Sequence, residues 1–537
     1  MPTFKDQRIR VVNDHVPNRS GDFVLYWMQA YRRLNHNHAL DFAIQRAKDF
    51  KKPLVIFEGL RLDYPWANDR HHYFILSGMR ENSIQAQKMK LNYWPFVEKT
   101  RHQGRGLLKK IAKKAVMIVT DDFPTFIIPR QYNHLAQQVN CPLFAVDSNS
   151  IVPLKMLGEP VKMAAHLRPR IHRQFAEAWQ HRSNDKPEIT PSLCQSIDPI
   201  FETHAFETHA FETHSFENKH KIDPLISWLE TLPIDHSVAI IPHKIGGYPH
   251  AKNVLDTFVS KKLNDYAEGR NQPSDPESQS ASGLSPYLHY GHISIEEVID
   301  TVLQSEGDWT PEMLNSTCRG KREGFFHRDN NINGFLDEAI TWRDVGYHWH
   351  YMQEPHRCYE QAQQDKLRLG WDYPTFCGLQ SSLPAWAWLS LSKHEADQRD
   401  YLYSLEKFEK AQTHDPLWNA AQKELVMTGR IHNYLRMLWG KKVLEWSKSP
   451  EHAYFILEHL NNKYALDGRD PNSYTGILWC FGLFDRPWAP ERKVFGVIRF
   501  MSSANTAKKY SLDDYYRYIH RLTAMKEGGD TLFPDHD

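Results

Sequence analysis

Short apolar runs alternate with stretches of helical spacing over about the first 150 residues. Phe23-Val24-Leu25-Tyr26-Trp27 reads as a strand and Ala39 to Lys51 as the helix after it. Pro53-Leu54-Val55-Ile56-Phe57 is the next predicted strand, followed by helical periodicity from Arg70 to Lys90. Ala115 to Thr120 and Leu143 to Asp147 give two more β-rich runs. Strands alternating with helices predict a parallel sheet covered on both faces. The expectation is a Rossmann-like α/β domain over residues 1–180.

The pattern changes between 181 and 245. Phe201-Glu202-Thr203-His204-Ala205 recurs from Phe206 and again from Phe211, then decays after Phe216. On a helix, five steps separate successive histidines by about 140°, so His204, His209 and His214 would share no face for a metal. The stretch reads as a solvated interdomain linker, with a β-like run at Val238-Ala239-Ile240-Ile241 near its end. Beyond it the spacing is helical, in Ser294–Gln304, Phe335–Gln353, Glu395–Ala411, Ala420–Trp446 and Pro450–Lys463. Residues 246–537 are therefore expected to form an all-α domain.

Composition narrows the classes. Across 537 residues, 66 Lys and Arg balance 65 Asp and Glu, which excludes a polycation but leaves a local basic groove open. No run approaches the ~20 apolar residues of a membrane span, and the polar start does not read as a signal peptide. The six cysteines are far apart with no CxxC pair, so no disulfide scaffold or zinc ribbon is expected and a reducing cytoplasm is. GxSxG, HExxH and GxxxxGK[ST] are absent. Eleven of the 16 Trp lie past residue 300, in the helical half.

Several segments there could carry chemistry. Ser285 is placed to N-cap a helix with Pro286 at its first position, either a plain cap or a phosphate-holding terminus, with Arg270 upstream as a cation. Trp439 and Trp446 are seven apart, so on one helix they share a face about 10.5 Å apart along the axis. Arg436 lies near that face and, if buried, should meet a carboxylate, for which Asp467 and Asp470 are candidates. Polar turn residues interleaved with Trp479 and Trp488 read as the wall of an aromatic-lined pocket or as a packed loop cluster. Cations among aromatics, in Arg319–His327 and Arg492–Arg499, meet the requirement for a nucleic-acid groove.

Those residues also stand in a familiar order. SGLSPYLHYG, THDPLWNAAQ, GRIHNYLRMLWGKKVLEW, HLNNKYALDGRDPN and WCFGLFDRPWAPERKVFGVIRFM resemble the photolyase/cryptochrome superfamily. They are most like class II cyclobutane pyrimidine dimer photolyases, as are VLYWMQAYRRLNHNHAL and SNSIVPLKMLGEPVKMAAHLRPRI near the N-terminus. The resemblance implies a helical domain cradling one FAD whose reduced form gives an electron, under light, to a flipped-out pyrimidine dimer in double-stranded DNA. It implies that Tyr266, Arg270 and Ser285 hold the FAD phosphates and that Arg436 and Asp467 pair beneath the isoalloxazine, with Asn461 at its N5 edge. Trp439, Trp418 and Trp446 would relay electrons to oxidised flavin, with Asp485-Arg486 beside them. Met437, Trp479 and Asp344 would line the dimer pocket, and Arg499 would enter the gap in the duplex.

The resemblance further implies a cytoplasmic, nucleoid-associated monomer of bacterial type, with room for an antenna chromophore, a deazaflavin or a folate. No metal is expected. The chain departs from the class at Trp342-Arg343-Asp344, where the family has Arg-Arg-Glu, and at His348-Trp349 and His432-Asn433. Two other readings share the same flavin: a cryptochrome-like photoreceptor without repair activity, and a photolyase for the (6–4) adduct. Intact Met437 and Trp479 favour dimer repair, as does the expected absence of a long signalling tail after Asp537.

Overall fold

The computed structural model describes residues 4–206, 223–274, 279–353 and 355–527. They divide into two compact units. One takes Met1–Gly158, Arg170–Thr257 and Gly283–Arg319; the other takes Glu159–Pro169, Phe258–Ser282 and Gly320–Asp537.

The first unit is built on a six-stranded sheet. Its strands are β1 (Ile9–Val11), β2 (Phe23–Met28), β3 (Leu54–Leu60), β4 (Asn92–Val97), β5 (Ala115–Asp121) and β6 (Leu143–Val146), in the order β1-β6-β5-β2-β3-β4. All neighbours are parallel except β1, which runs antiparallel to β6. Successive residues of a strand face opposite sides. Val24 and Tyr26 of β2 join one core with Leu40 and Ile44, while Phe23 and Leu25 join the other with Trp94, Ile111 and Leu135. The helix α1 (His38–Phe50) starts where the Asn37 side chain accepts from the N–H groups of Ala39 and Leu40, and α2 (Asp69–Met89) starts at Asn68.

Two strands escape the hydrophobic pattern for physical reasons. β1 has three residues and a polar centre. β4 contains Pro95, which lacks a ladder donor and is tolerated because β4 is an edge. Val238–Ile241 is not a strand; it forms no ladder, and its Ala239 carbonyl accepts from Arg70 Nε at 3.1 Å. The compact units also depart from the expected boundaries near 180 and 245. Phe74 of α2 packs against Tyr287, Tyr290 and His292, so the segment after 283 folds with the sheet. Phe201, the first residue of the repeat, lies against Phe57, Trp94 and Phe96 rather than in solvent. Residues 207–222, with His209 and His214, lie outside the described residues.

The second unit is helical. Asn330–Leu336 continues through a π-helical turn, Asp337–Trp342, into α3 (Arg343–Met352). Arg168 clamps Asp337 there with bonds of 2.7 and 3.0 Å. Then come α4 (Pro416–Thr428), α5 (Asn433–Glu445), α6 (Pro450–Tyr464) and α7 (Pro471–Cys480). Three of these open alike: Asp415, Ser449 and Asp470 cap a helix whose first residue is proline. The continuous helix expected over 420–446 is broken at Gly429, which takes φ 70°, a left-handed stop that glycine adopts without a Cβ penalty. The helix expected over 395–411 shrinks to Leu405–Glu409. Upstream, Arg399 Nη1 bonds to the Glu395 and Asp397 carbonyls, and Tyr401 and Leu402 stay exposed, so no apolar face forms.

Candidate functional site

The buried centre of the helical unit is a row of indoles. Asp415 fixes the start of α4 by accepting from the Trp418 N–H at 3.0 Å. Trp418 Nε1 donates to the Trp439 carbonyl at 3.0 Å, and Trp439 Nε1 donates to Gln422 Oε1 at 2.9 Å. Both donors are satisfied, so both rings are buried without an orphaned polar group. Trp418 and Trp439 stack with centroids 6.5 Å apart and planes within 8°. Trp418 meets Trp446 at 6.1 Å. The order in space is therefore 439, 418, 446. Spacing along α5 relates 439 to 446, but only the packing of α4 on α5 inserts Trp418 between them.

A second aromatic wall forms where α5 meets α7. Gly440 permits the approach: a Cβ there would lie 2.4 Å from Cys480 Sγ. Met437 Sδ is 3.6 Å from the same sulfur, next to half-buried Trp479. Trp342 stacks on Trp479 with centroids 5.3 Å apart and a 17° tilt. Asp344, two residues on in α3, is buried with Arg343 Nη1 at 3.5 Å. Below this wall Lys441 is buried and donates from Nζ to the Cys480 carbonyl at 2.6 Å. Burial, opposed by the nearby Cys480 and Asp485, pushes its ammonium down to about 8. Arg499 does not join the wall; it is exposed and lies over Trp488, as does Arg486. Asp485 accepts from Trp488 Nε1 at 3.0 Å. The Asp485-Arg486 pair thus engages Trp488.

The expected ion pair is not formed. Arg436 Nη2 makes one long bond, 3.5 Å to the Ile431 carbonyl, and no ion pair joins Arg436 to Asp467 among the described residues. Both side chains are half-buried. Asn461 is buried, its Nδ2 only 3.4 Å from Asn462 Oδ1. The ring nitrogens of buried His432 make no close hydrogen bond, although the Arg270 backbone lies near enough to favour its charged form, and Glu424 Oε1 has Arg430 Nε at 3.4 Å. Burial, followed by the charge of Arg430, pushes the imidazole of His432 down to about 4. Burial raises the Glu424 carboxyl, against Arg430 and the Tyr515 hydroxyl. Arg270 lies over the Tyr266 ring and pairs with Glu338 at 2.7 Å, and burial pushes the Tyr266 phenol up to about 12. Ser285 belongs to the sheet unit. It is the first residue of the short helix Ser285–His289, with Leu284 rather than Ser285 at the cap position.

This donor set fits a polar, planar ligand in the helical unit. A buried amide with one long bond and a buried imidazole without a close partner are costly unless something pairs with them, and half-buried Arg436 and Asp467 stand without an ion pair to each other. Sequence missed Lys441 and Glu424, and named Trp342 and His432 only as departures from the class. Their neighbours across α3, α5 and α7 are distant in the chain, and nothing in the local pattern signals the contacts.

No family model matches the chain. It is 33% identical over 523 residues to the deoxyribodipyrimidine photo-lyase of Methanothermobacter thermautotrophicus, covering 96% of this chain and 98% of that one. The deoxyribodipyrimidine photo-lyase of Arabidopsis thaliana is 29% identical over 519 residues, covering 94% and 90%. A bacterial class III photolyase from Agrobacterium tumefaciens shares the fold, with a TM-score of 0.60, 17% identity, and coverage of 95% and 92%.

Proposed function

The chain belongs to the photolyase/cryptochrome superfamily as a deoxyribodipyrimidine photo-lyase, and from that premise we propose that it splits cyclobutane pyrimidine dimers in double-stranded DNA with light and reduced FAD. The observation that carries the reading is the coexistence, in one unit, of an unbroken buried indole row and a set of unpaired polar groups. When bound and reduced, FAD supplies a light-driven electron to the lesion. The protein's share is binding, orientation and exclusion of water.

Arg436 and Asp467 would bind the isoalloxazine, and Asn461 would offer its amide to the N5 edge. His432, with no close partner for its ring nitrogens and held neutral by burial, can both donate and accept. Tyr266 and Arg270 would face the phosphate side, Arg270 exchanging its bond to Glu338 for a stronger anion. A lesion inside a duplex must leave the stack to be reached. The thioether of Met437 and the Trp479 face, backed by Trp342, give that base pair an apolar wall. Asp344 is one methylene shorter than the family's Glu and sits 3.5 Å from Arg343, so its carboxylate would act on the dimer from that shared site. Arg499, exposed over Trp488, would meet the phosphates or the gap left in the duplex.

The test is direct. Protein loaded with FAD and chemically reduced should remove dimers from a UV-irradiated oligonucleotide in light and not in darkness. Dimers that persist in light, with reduced FAD demonstrably bound, would reject repair in favour of a photoreceptor. Removal of (6–4) adducts instead would change the substrate.

A further inference from the structure

Two amides follow one another on α6. Asn461 is the residue proposed above for the N5 edge; Asn462 beside it has no exposed surface. A buried amide needs partners at both ends. The backbone N–H of Arg469 donates to Asn462 Oδ1 at 2.8 Å, so that atom is the oxygen. The other end, Nδ2, lies 3.3 Å from the Tyr474 hydroxyl and donates to it. These two contacts fix which way the Asn462 amide points without reference to Asn461.

That orientation passes to the neighbour. The atom of Asn461 that lies 3.4 Å from Asn462 Oδ1 must be a donor, hence Nδ2. The Asn461 Oδ1 is the end left for a ligand, and it accepts from no donor among the described residues. The same Asn462 oxygen also holds the turn that carries Asp467. Arg469 takes φ 66°, a left-handed conformation uncommon outside glycine, and its N–H is the one bound to Asn462. Ser473 Oγ donates to the Asp467 carbonyl at 2.9 Å, and Tyr347 donates to Asp470 at 2.6 Å. The turn packs so closely on α6 that a Cβ on Gly468 would lie 2.9 Å from the Asn461 backbone oxygen.

Flavin N5 changes character with its redox state. Oxidised, it presents a lone pair; reduced and protonated, it presents an N–H. A carbonyl oxygen facing it repels the first and accepts from the second. We infer that Asn462 is a positioning residue: it leaves the carbonyl end of Asn461 for N5 and so favours the reduced, N5-protonated cofactor, an inference that rests on the flavin proposed above. Asn462 touches no reacting atom and acts through Asn461 and the Asp467 turn. The buried position needs an acceptor and a donor together. Leucine has nearly the same shape and offers neither. Aspartate keeps the acceptor, and Tyr474 can turn its O–H to the second oxygen.

The test uses the full chain loaded with oxidised FAD and illuminated with a thiol in the absence of oxygen. Absorption spectra taken across pH distinguish one-electron-reduced flavin that carries the N5 proton from the same flavin without it. In Asn462→Leu the N5 proton should become more acidic by on the order of tenfold, the worth of one hydrogen bond, because the Asn461 amide is free to turn. Asn462→Asp should keep the parental value. A role in packing alone predicts the opposite order, since leucine fills the site and a buried carboxylate disturbs it. Tyr474→Phe removes only the partner of Nδ2 and should shift the proton in the same direction; it serves where Asn462→Leu does not fold. An unshifted N5 proton in Asn462→Leu, or in Tyr474→Phe where that variant alone folds, overturns the inference, as does a shift in Asn462→Asp as large as in Asn462→Leu. Those results, read with FAD bound, leave the flavin reading standing. Failure of the parent chain to bind FAD rejects both.

Discussion

Lys441 offers a quantitative test of how the lesion wall is held. Its side chain is 1% exposed and has no carboxylate partner, only the Cys480 carbonyl at 2.6 Å. Burial lowers its ammonium from 10.5 to about 8. The folded chain therefore binds this proton less tightly than the unfolded chain does, and stability rises with pH between the two values. At pH 7 the cost of keeping the charge inside is roughly 3 kcal/mol; by pH 10 it has fallen to about 1 kcal/mol. Lys441→Met keeps the length of the stem and removes that cost, but forfeits one hydrogen bond worth about 1 kcal/mol. The expected net effect is a gain of about 2 kcal/mol at pH 7 and none at pH 10, in line with other buried charges replaced by isosteric apolar groups. Urea unfolding followed by tryptophan fluorescence at both pH values measures it. The same variant should bind UV-irradiated DNA more weakly, because the end of α7 and the Trp479 wall lose their tether. Equal destabilisation at both pH values would refute the reasoning, since it would mean that the ammonium is not paying a desolvation cost.

Other outcomes follow from the same geometry. Trp418→Phe breaks the indole row and removes the bond to the Trp439 carbonyl, costing about 1 kcal/mol of stability; flavin photoreduction should fail while repair by chemically reduced protein persists. Glu458 on α6 is fully buried, accepts from Thr375 and Phe376, and is pushed up to about 8 by burial. Its ionisation costs stability as pH rises from its ordinary range through 8, so Glu458→Gln should gain about 3 kcal/mol in urea unfolding at pH 8, after one lost hydrogen bond, and lose about 1 kcal/mol at pH 4. Asp415→Ala removes the cap of α4 and should cost ~1–2 kcal/mol in thermal or urea unfolding, with slower photoreduction because Trp418 is the residue the cap holds.

Much of the sheet unit is legible in sequence because burial there is periodic and continuous. β2 and β5 are central strands buried on both faces, so their apolar runs announce themselves. The capped helices after β2 and β3 follow from Asn37 and Asn68. β4 hides because Pro95 argues against a strand unless the strand is known to be an edge. In the helical unit the proline-started helices are visible, but the site is not. Trp418 meets Trp439 and Trp446 only through the packing of α4 on α5, and Trp342 meets Trp479 across 137 residues of chain. The motifs named the residues; their neighbours had to be found in three dimensions.

Several departures from local rules lie on neighbouring elements of the helical unit. A well-packed helical unit gains nothing from a His432 without a close partner, a raised Glu424, an unpaired Arg436 and Asp467, or a buried Lys441. Each costs free energy in isolation, and each lies on α4, α5 or the turn after α6. The sheet unit holds both kinds: Glu296 accepts from His38 and from Ser183 and Arg8 bonds to three carbonyls, whereas Asp122 Oδ1, Glu297 Oε2 and His292 Nε2 lack a hydrogen-bond partner. In the helical unit, Arg436, Asp467 and His432 are the residues that the proposed flavin would pair with. FAD bound there should raise the urea midpoint of the helical transition in proportion to the logarithm of free FAD, while leaving the sheet unit's transition in place. Equal shifts in both transitions would move the ligand elsewhere.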